Sequence, residues 1–288
     1  MTLGRFGVWL GSIGLLSAAE ERTAVSELET AGYGTIWFGE SPYNKEAFAH
    51  AALLLEATKR VTVATGIANI WLHSPESAAN GGAMLAEAFP SRFVLGLGVS
   101  HAPIVTSMGQ DYSKPLTRMR EYLDTMDASR YAAAPPAEPA PRVLGALAPK
   151  MLELARDRAQ GAHPYLVTPE HTQRARAILG VGPVLAPEQA FVLESDPARA
   201  RAAARDHLKT YLALPNYSSN WLRSGFDESD LADGGSDRLV DALVAWGDEQ
   251  AVRARVEEHF DAGADHVALQ ALGDDPVAQL TRLAPELR

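Results

Sequence analysis

Glu40 ends the apolar stretch "GTIWFGE" (34 to 40) and is followed at once by Ser41. A carboxylate at the end of a buried strand is costly unless it is paired or wet, so Glu40 is a candidate acid or base. His101 closes the glycine-rich "RFVLGLGVSH" after Gly98, Val99 and Ser100. An imidazole there could give or take a proton near neutral pH, although a lone histidine also serves as a hydrogen-bonded structural residue. "GALAPK" (145 to 150) places Ala146, Leu147 and Ala148 ahead of a proline-initiated helix, with Lys150 beside its free amides, which is a seat for a phosphate. "ATGIANIW" (64 to 71) begins as a buried strand and is then interrupted by Gly66 and by Ala68 and the polar Asn69. Small residues at Gly96, Gly98, Gly145, Ala146 and Ala148 would let a flat ligand approach the backbone, or would simply alternate with larger side chains in filling a core.

Other chemistries are absent. There is no GxGxxG or GxxxxGK[ST] loop and no HExxH, and His73, His163 and His171 lack metal-ligand spacing, so no metal is expected. His163 reads as the first residue of a strand, placed low and structural. The chain has no cysteine, which removes disulfides and thiolate nucleophiles. The 36 acidic residues are spread along the chain and the net charge is -10, which argues against a nucleic-acid partner. No apolar stretch reaches the roughly 18 residues of a membrane span, and no leader opens the chain, so a soluble cytoplasmic protein acting on a small-molecule substrate is expected.

Eight short apolar runs must position these groups: 5 to 11, 34 to 40, 61 to 67, 92 to 99, 142 to 147, 163 to 168, 189 to 195 and 266 to 272. Helical patterns lie between them at 17 to 31, 45 to 58, 75 to 88, 116 to 129, 149 to 160, 169 to 179 and 248 to 262, with Pro75, Pro149 and Pro169 in first turns and Gly32, Gly161 and Gly263 just past helix ends. Such alternation predicts an α/β fold, a (β/α)8 TIM barrel over residues 1–288 as one domain, with an open doubly wound sheet as the alternative. Residues 131 to 142 join a helix to a strand, away from the chemistry. Residues 196 to 247 follow the seventh strand as a helical insertion on the carboxyl face and form a candidate lid, with Tyr217, Trp221 and Phe226 either touching substrate or packing the insertion's own core.

The runs "GYGTIWFGE", "ATGIANIWLHSP", "SRFVLGLGVSHAP", "GAHPYLVTPEHT" and "GGSDRLVDALVAWGD" resemble the luciferase-like flavin and deazaflavin oxidoreductases, specifically an actinobacterial branch that uses coenzyme F420. The resemblance spans nearly the whole chain. It implies a (β/α)8 barrel that moves a hydride through C5 of a deazaflavin, as a homodimer. It also implies a non-proline cis peptide in a strand 3 bulge that supports the coenzyme's middle ring, matched here to Ala68–Asn69. Glu40 matches an acid near the ring, Ser41 and Gly98 to His101 line the same cavity, and Ala146, Leu147, Ala148 and Lys150 match the phosphate loop. Ser41 and His101 depart from the histidine and glutamate of the family's sugar-phosphate dehydrogenases, so their substrate and proton assignment do not carry over. His101, then Glu40, are the expected acid or base. An FMN-dependent monooxygenase and a barrel that only binds a ligand are the competing expectations.

Overall fold

The alternating runs become strand and helix units throughout the computed structural model, which describes residues 1–288. β1 (Phe6–Trp9) leads to α1 (Ala18–Ala31), β2 (Thr35–Phe38) to α2 (Ala47–Glu56), and β3 (Thr62–Thr65) with β4 (Ala68–Asn69) to α3 (Pro75–Ala88). Next come β5 (Phe93–Gly98), α4 (Ala102–Ser107), α5 (Pro115–Ala128), β6 (Arg142–Leu144), α6 (Pro149–Arg158), β7 (Gly161–Ala162) and α7 (Pro169–Leu179). After β8 (Val184–Leu185) and β9 (Glu188–Val192), four helices follow in succession: α8 (Pro197–Leu212), α9 (Pro215–Arg223), α10 (Glu228–Leu231) and α11 (Asp237–Leu243). The chain ends with β10 (Val244–Trp246), α12 (Glu249–Asp261), β11 (Val267–Ala271) and α13 (Pro276–Leu283).

Local chemistry sets these boundaries. Ser17 and Glu20 form a reciprocal capping box at α1, and Pro75, Pro149 and Pro169 each open a helix where a missing N–H loses nothing. Gly32 and Gly263 adopt positive φ past α1 and α12, as expected. Gly161 does not: it begins β7, where a Cβ would stand 2.2 Å from the Val184 carbonyl oxygen, so close strand approach is what requires glycine there.

Every strand pairing is parallel, in the order β10-β9-β11-β1-β2-β3-β5-β6-β7-β8, with β4 beside β5. Val184–Val192 bonds on both sides. Ala186 N–H reaches the Ala162 carbonyl, while Asp265 and Ala268 N–H reach the carbonyls of Leu185 and Pro187, so the sheet curls back toward itself. The expected strand at 163 to 168 is absent. β7 stops at Ala162 because Pro164 has no N–H to extend a ladder, and Leu166 takes a φ of 50° in the loop that follows. Beyond it, β10 pairs with β9 in the register Val244↔Ala190 to Trp246↔Val192.

A 46-residue apolar cluster packs strands against the outer helices, and a separate 13-residue cluster joins α8, α9 and α11 to β9 and β10. Inside the curl the packing is partly polar. Trp37 stacks on His163 with ring centroids 4.2 Å apart and donates from Nε1 to His266 Nε2 at 3.0 Å, and His266 donates from Nδ1 to the Gly4 carbonyl. Gly96 is gripped on both sides by Thr65, whose hydroxyl accepts from its N–H at 2.8 Å and donates to its carbonyl at 2.7 Å. A Cβ at Gly96 would lie 1.8 Å from the Thr65 carbonyl oxygen. Gly96→Ala is therefore expected to cost about 3 kcal/mol or more in urea unfolding, and a midpoint equal to that of the parent would contradict it. No helix is long and apolar enough to cross a membrane.

Candidate active site

A cavity of about 850 Å3 lies over the carboxyl ends of β1 to β7. Its ledge is the break between β3 and β4. The cis peptide bond there is Gly66–Ile67, not Ala68–Asn69 as the resemblance implies. Packing fixes the difference. A Cβ at residue 66 would sit 2.8 Å from Trp9 Nε1 and 3.0 Å from His163 Nε2, so only glycine fits there. Half-buried Ile67 then lies against Gly98 and Gly145, where added Cβ atoms would meet it at 2.4 and 3.1 Å. Ala68 and Asn69 are drawn beneath the ledge into pairing with Leu97 and Gly98, and neither lines the cavity.

Glu40 ties this ledge to its neighbours. Its Oε1 accepts from Ala47 N–H at 2.9 Å, its Oε2 from Asn69 N–H at 2.8 Å, and both accept from His73 Nε2 at 2.9 and 3.0 Å. Burial disfavours charge on His73, yet the bond to Glu40 and the charges of Glu40 and Glu46 outweigh it, and its pKa is raised. The carboxylate that the sequence marks as a free acid or base is thus occupied on both oxygens. His73, set aside for its spacing, is its partner.

The remaining expected residues converge. Glu40, Ser41, Gly98 to His101, Ala146 to Ala148 and Lys150 all line the cavity. His101 precedes α4, with its ring centroid 5.5 Å from that of Tyr217; burial lowers its pKa against an opposing hydrogen bond to Asn216, and its Nδ1 has no partner. At the start of α6 no side chain caps the helix, the amides of Leu147 and Ala148 meet no protein acceptor, and His171 Nε2 donates to the Leu147 carbonyl at 3.0 Å. Lys150 and, from α9, Arg223 are the cations of the lining. An uncapped helix start with a lysine in its first turn can hold a phosphate.

Trp9, His163, Tyr165 and Arg223 also line the cavity and were not singled out from the sequence as ligand contacts. His163 follows β7 instead of beginning a strand, which lifts it to the cavity wall. Burial lowers its pKa to about 4, and the neutral ring donates from Nδ1 to the Ala186 carbonyl at 2.7 Å. Pro164 was the available signal, since it ends the strand early. Of the three aromatics expected in the lid, Tyr217 lines the cavity, whereas Trp221 is buried, donating to the Leu166 carbonyl, and Phe226 packs under Arg238.

The sequence profile of luciferase-like monooxygenases matches residues 1–266. The chain belongs to that family. The 5,10-methylenetetrahydromethanopterin reductase of Methanolobus tindarius is 24% identical over 281 residues, covering 83% of this chain and 86% of its own. A putative coenzyme F420-dependent oxidoreductase of Mycobacterium tuberculosis is 31% identical over 121 residues, 42% of this chain and 35% of that one. Among solved structures, an F420-dependent secondary alcohol dehydrogenase in complex with an F420-acetone adduct superposes with a TM-score of 0.79 at 15% identity, covering 99% of both chains. That likeness shows the overall fold alone.

Proposed function

We propose that the protein is an oxidoreductase that exchanges a hydride between coenzyme F420 and a small organic substrate, in a (β/α)8 barrel whose residues 196 to 247 form a lid, as a cytoplasmic homodimer. The observation that carries the reading is one cavity joining a flat apolar ledge, Ile67 between Gly98 and Gly145, to the uncapped helix start at Ala148 and Lys150, with Arg223 of α9 in the same lining. A planar heterocycle with a phosphate on its side chain requires both ends. The residues present therefore fit the group. Bound there, the deazaflavin supplies hydride acceptance and donation at a carbon that does not activate oxygen.

The chain's own residues supply the rest. Gly98 and Gly145 keep the ledge flat, and Glu40 with His73 fixes its height, so Glu40 acts as a positioning residue and not as the proton carrier. His101, kept neutral because burial depresses its pKa, takes the proton of an alcohol substrate or returns it to a carbonyl oxygen through Nε2, since its Nδ1 is sealed from the cavity. Tyr217 and the rest of α9 exclude water above it.

Titration of the purified protein with F420 and with FMN tests the reading. Fluorescence quenching by F420 at concentrations where FMN gives none is expected; binding of FMN alone would favour a flavin monooxygenase instead, and binding of neither would favour a ligand-binding barrel. His101→Gln is expected to lower turnover on the order of 100-fold with F420 affinity unchanged. Unaltered turnover would remove His101 from the proton step.

A further inference from the structure

Five tyrosines line the cavity, and the partners of their hydroxyls separate them. Tyr165 is saturated: it donates to Gln270 Oε1 at 2.8 Å and lies 3.1 Å from the Tyr211 hydroxyl and 3.3 Å from His207 Nε2. Tyr211 is thereby engaged as well. Tyr112 donates to the Ser100 carbonyl at 2.9 Å, and Tyr43, 79% exposed at the rim, lies beside the Ser107 hydroxyl. Tyr217 is 5% exposed, yet its hydroxyl meets no protein donor or acceptor, and it is not among the polar atoms sealed from the cavity. The ring is buried while its unpaired hydroxyl opens into the cavity, so the partner that completes it comes from outside the chain.

Its surroundings define that partner. Tyr217 stands in a continuous aromatic wall, with ring centroids 5.0 Å from Tyr211, 6.2 Å from Tyr165 and 5.5 Å from His101; Tyr165 in turn lies 5.0 Å from Trp9. The charged side chains of the lining are Glu40, whose oxygens are both engaged, Lys150 in the first turn of α6, and Arg223 at the end of α9. Nothing on the wall recognises a charge, and the ring faces offer contact to another ring. Burial holds the Tyr217 pKa well above its ordinary value, so the hydroxyl stays a donor.

We propose that the Tyr217 hydroxyl, the hydrogen-bond donor that the aromatic wall leaves free, holds the oxygen of an uncharged, ring-bearing carbonyl compound or alcohol. The proposal deepens the preceding reading by naming the substrate class of that cavity and the residue that selects it. α9 thus supplies specificity as well as cover. The hydroxyl donates to the substrate oxygen on the same side as His101, which leaves that oxygen's proton exchange to the imidazole.

Acetophenone and α-methylstyrene form a matched pair of probes, alike in shape and differing in an oxygen for a methylene. Calorimetric titration of both into F420-free and F420-saturated protein should show the ketone bound on the order of tenfold more tightly. Tyr217→Phe should bring the two probes to near parity while leaving the affinity for α-methylstyrene, the affinity for F420 and the thermal midpoint unchanged. Parity in the parent protein, binding of neither probe, a ketone preference that survives Tyr217→Phe, or an equal loss for both probes would each overturn the proposal. Failure of F420 to bind would defeat the coenzyme reading alone, because the ketone preference is measured without F420 as well.

Discussion

Acidification from pH 7 to pH 4 is expected to unfold the chain cooperatively. His163, His171 and His266 have their pKa values lowered by burial to about 4, and His259 to about 3, so all four stay neutral in the native state well below pH 6. Once unfolded, each takes up a proton near pH 6.5. Between pH 6.5 and pH 4 the unfolded chain therefore binds more protons than the native one, and stability drops as the pH is lowered. Each histidine accounts for up to about 3 kcal/mol, against a typical total of roughly 5–15 kcal/mol. Glu188 acts in the opposite direction. Burial raises its pKa to about 8, and its Oε2 accepts only from Leu166 N–H. Its contribution is complete below about pH 4.5, where the unfolded carboxyl is protonated too, and is lost as pH rises through 8. Urea midpoints should therefore peak between about pH 5.5 and 7 and decline on both sides, and Glu188→Gln should remove much of the alkaline decline. A midpoint constant from pH 7 down to 4.5 would show that these histidines are not held neutral.

Gly98→Ala is expected to weaken coenzyme binding while leaving the protein folded. The new Cβ would meet Ile67 at Cγ1, Cδ1 and Cβ, at 2.4, 2.8 and 3.0 Å. Two of those atoms can rotate away, but Cβ moves only with the backbone, and a β-branched side chain has few other rotamers. Ile67 and its ledge would rise into the cavity. A stability loss of about 1–3 kcal/mol should accompany a fall in F420 affinity on the order of 100-fold. Ile67→Ala combined with Gly98→Ala should recover much of that affinity, and the non-additivity would locate the clash in this pair. Equal affinity for the single variant and the parent would mean that the ledge does not bear the ligand.

The features legible in the sequence were those encoded locally. Helix periods, first-turn prolines at 75, 149 and 169 and positive-φ glycines at 32 and 263 placed most elements within two residues of their observed bounds. The small residues and lone polar groups after β2, β5 and β6 marked one face of the cavity, because few other demands explain glycine, histidine and lysine there. What stayed hidden depends on contacts distant in sequence. The ledge lies two residues earlier than the resemblance implies because Trp9 and His163 leave room only for glycine at 66. Glu40 looked free because its partner His73 is 33 residues away. The wall of Trp9, Tyr165 and Tyr211 carries the same signature in sequence as ordinary core, and only the hydroxyl partners tell them apart.

The four helices between β9 and β10 leave the sheet after Val192 and re-enter it at Val244, on a strand paired with the very residues they left. Arg201 with Asp241 and Arg205 with Asp237 brace the first of these helices against the last. Both footings of this canopy thus share a single beam. Tyr217 and Arg223 are therefore carried on a segment whose two ends are anchored at the same three residues of the sheet, 190 to 192.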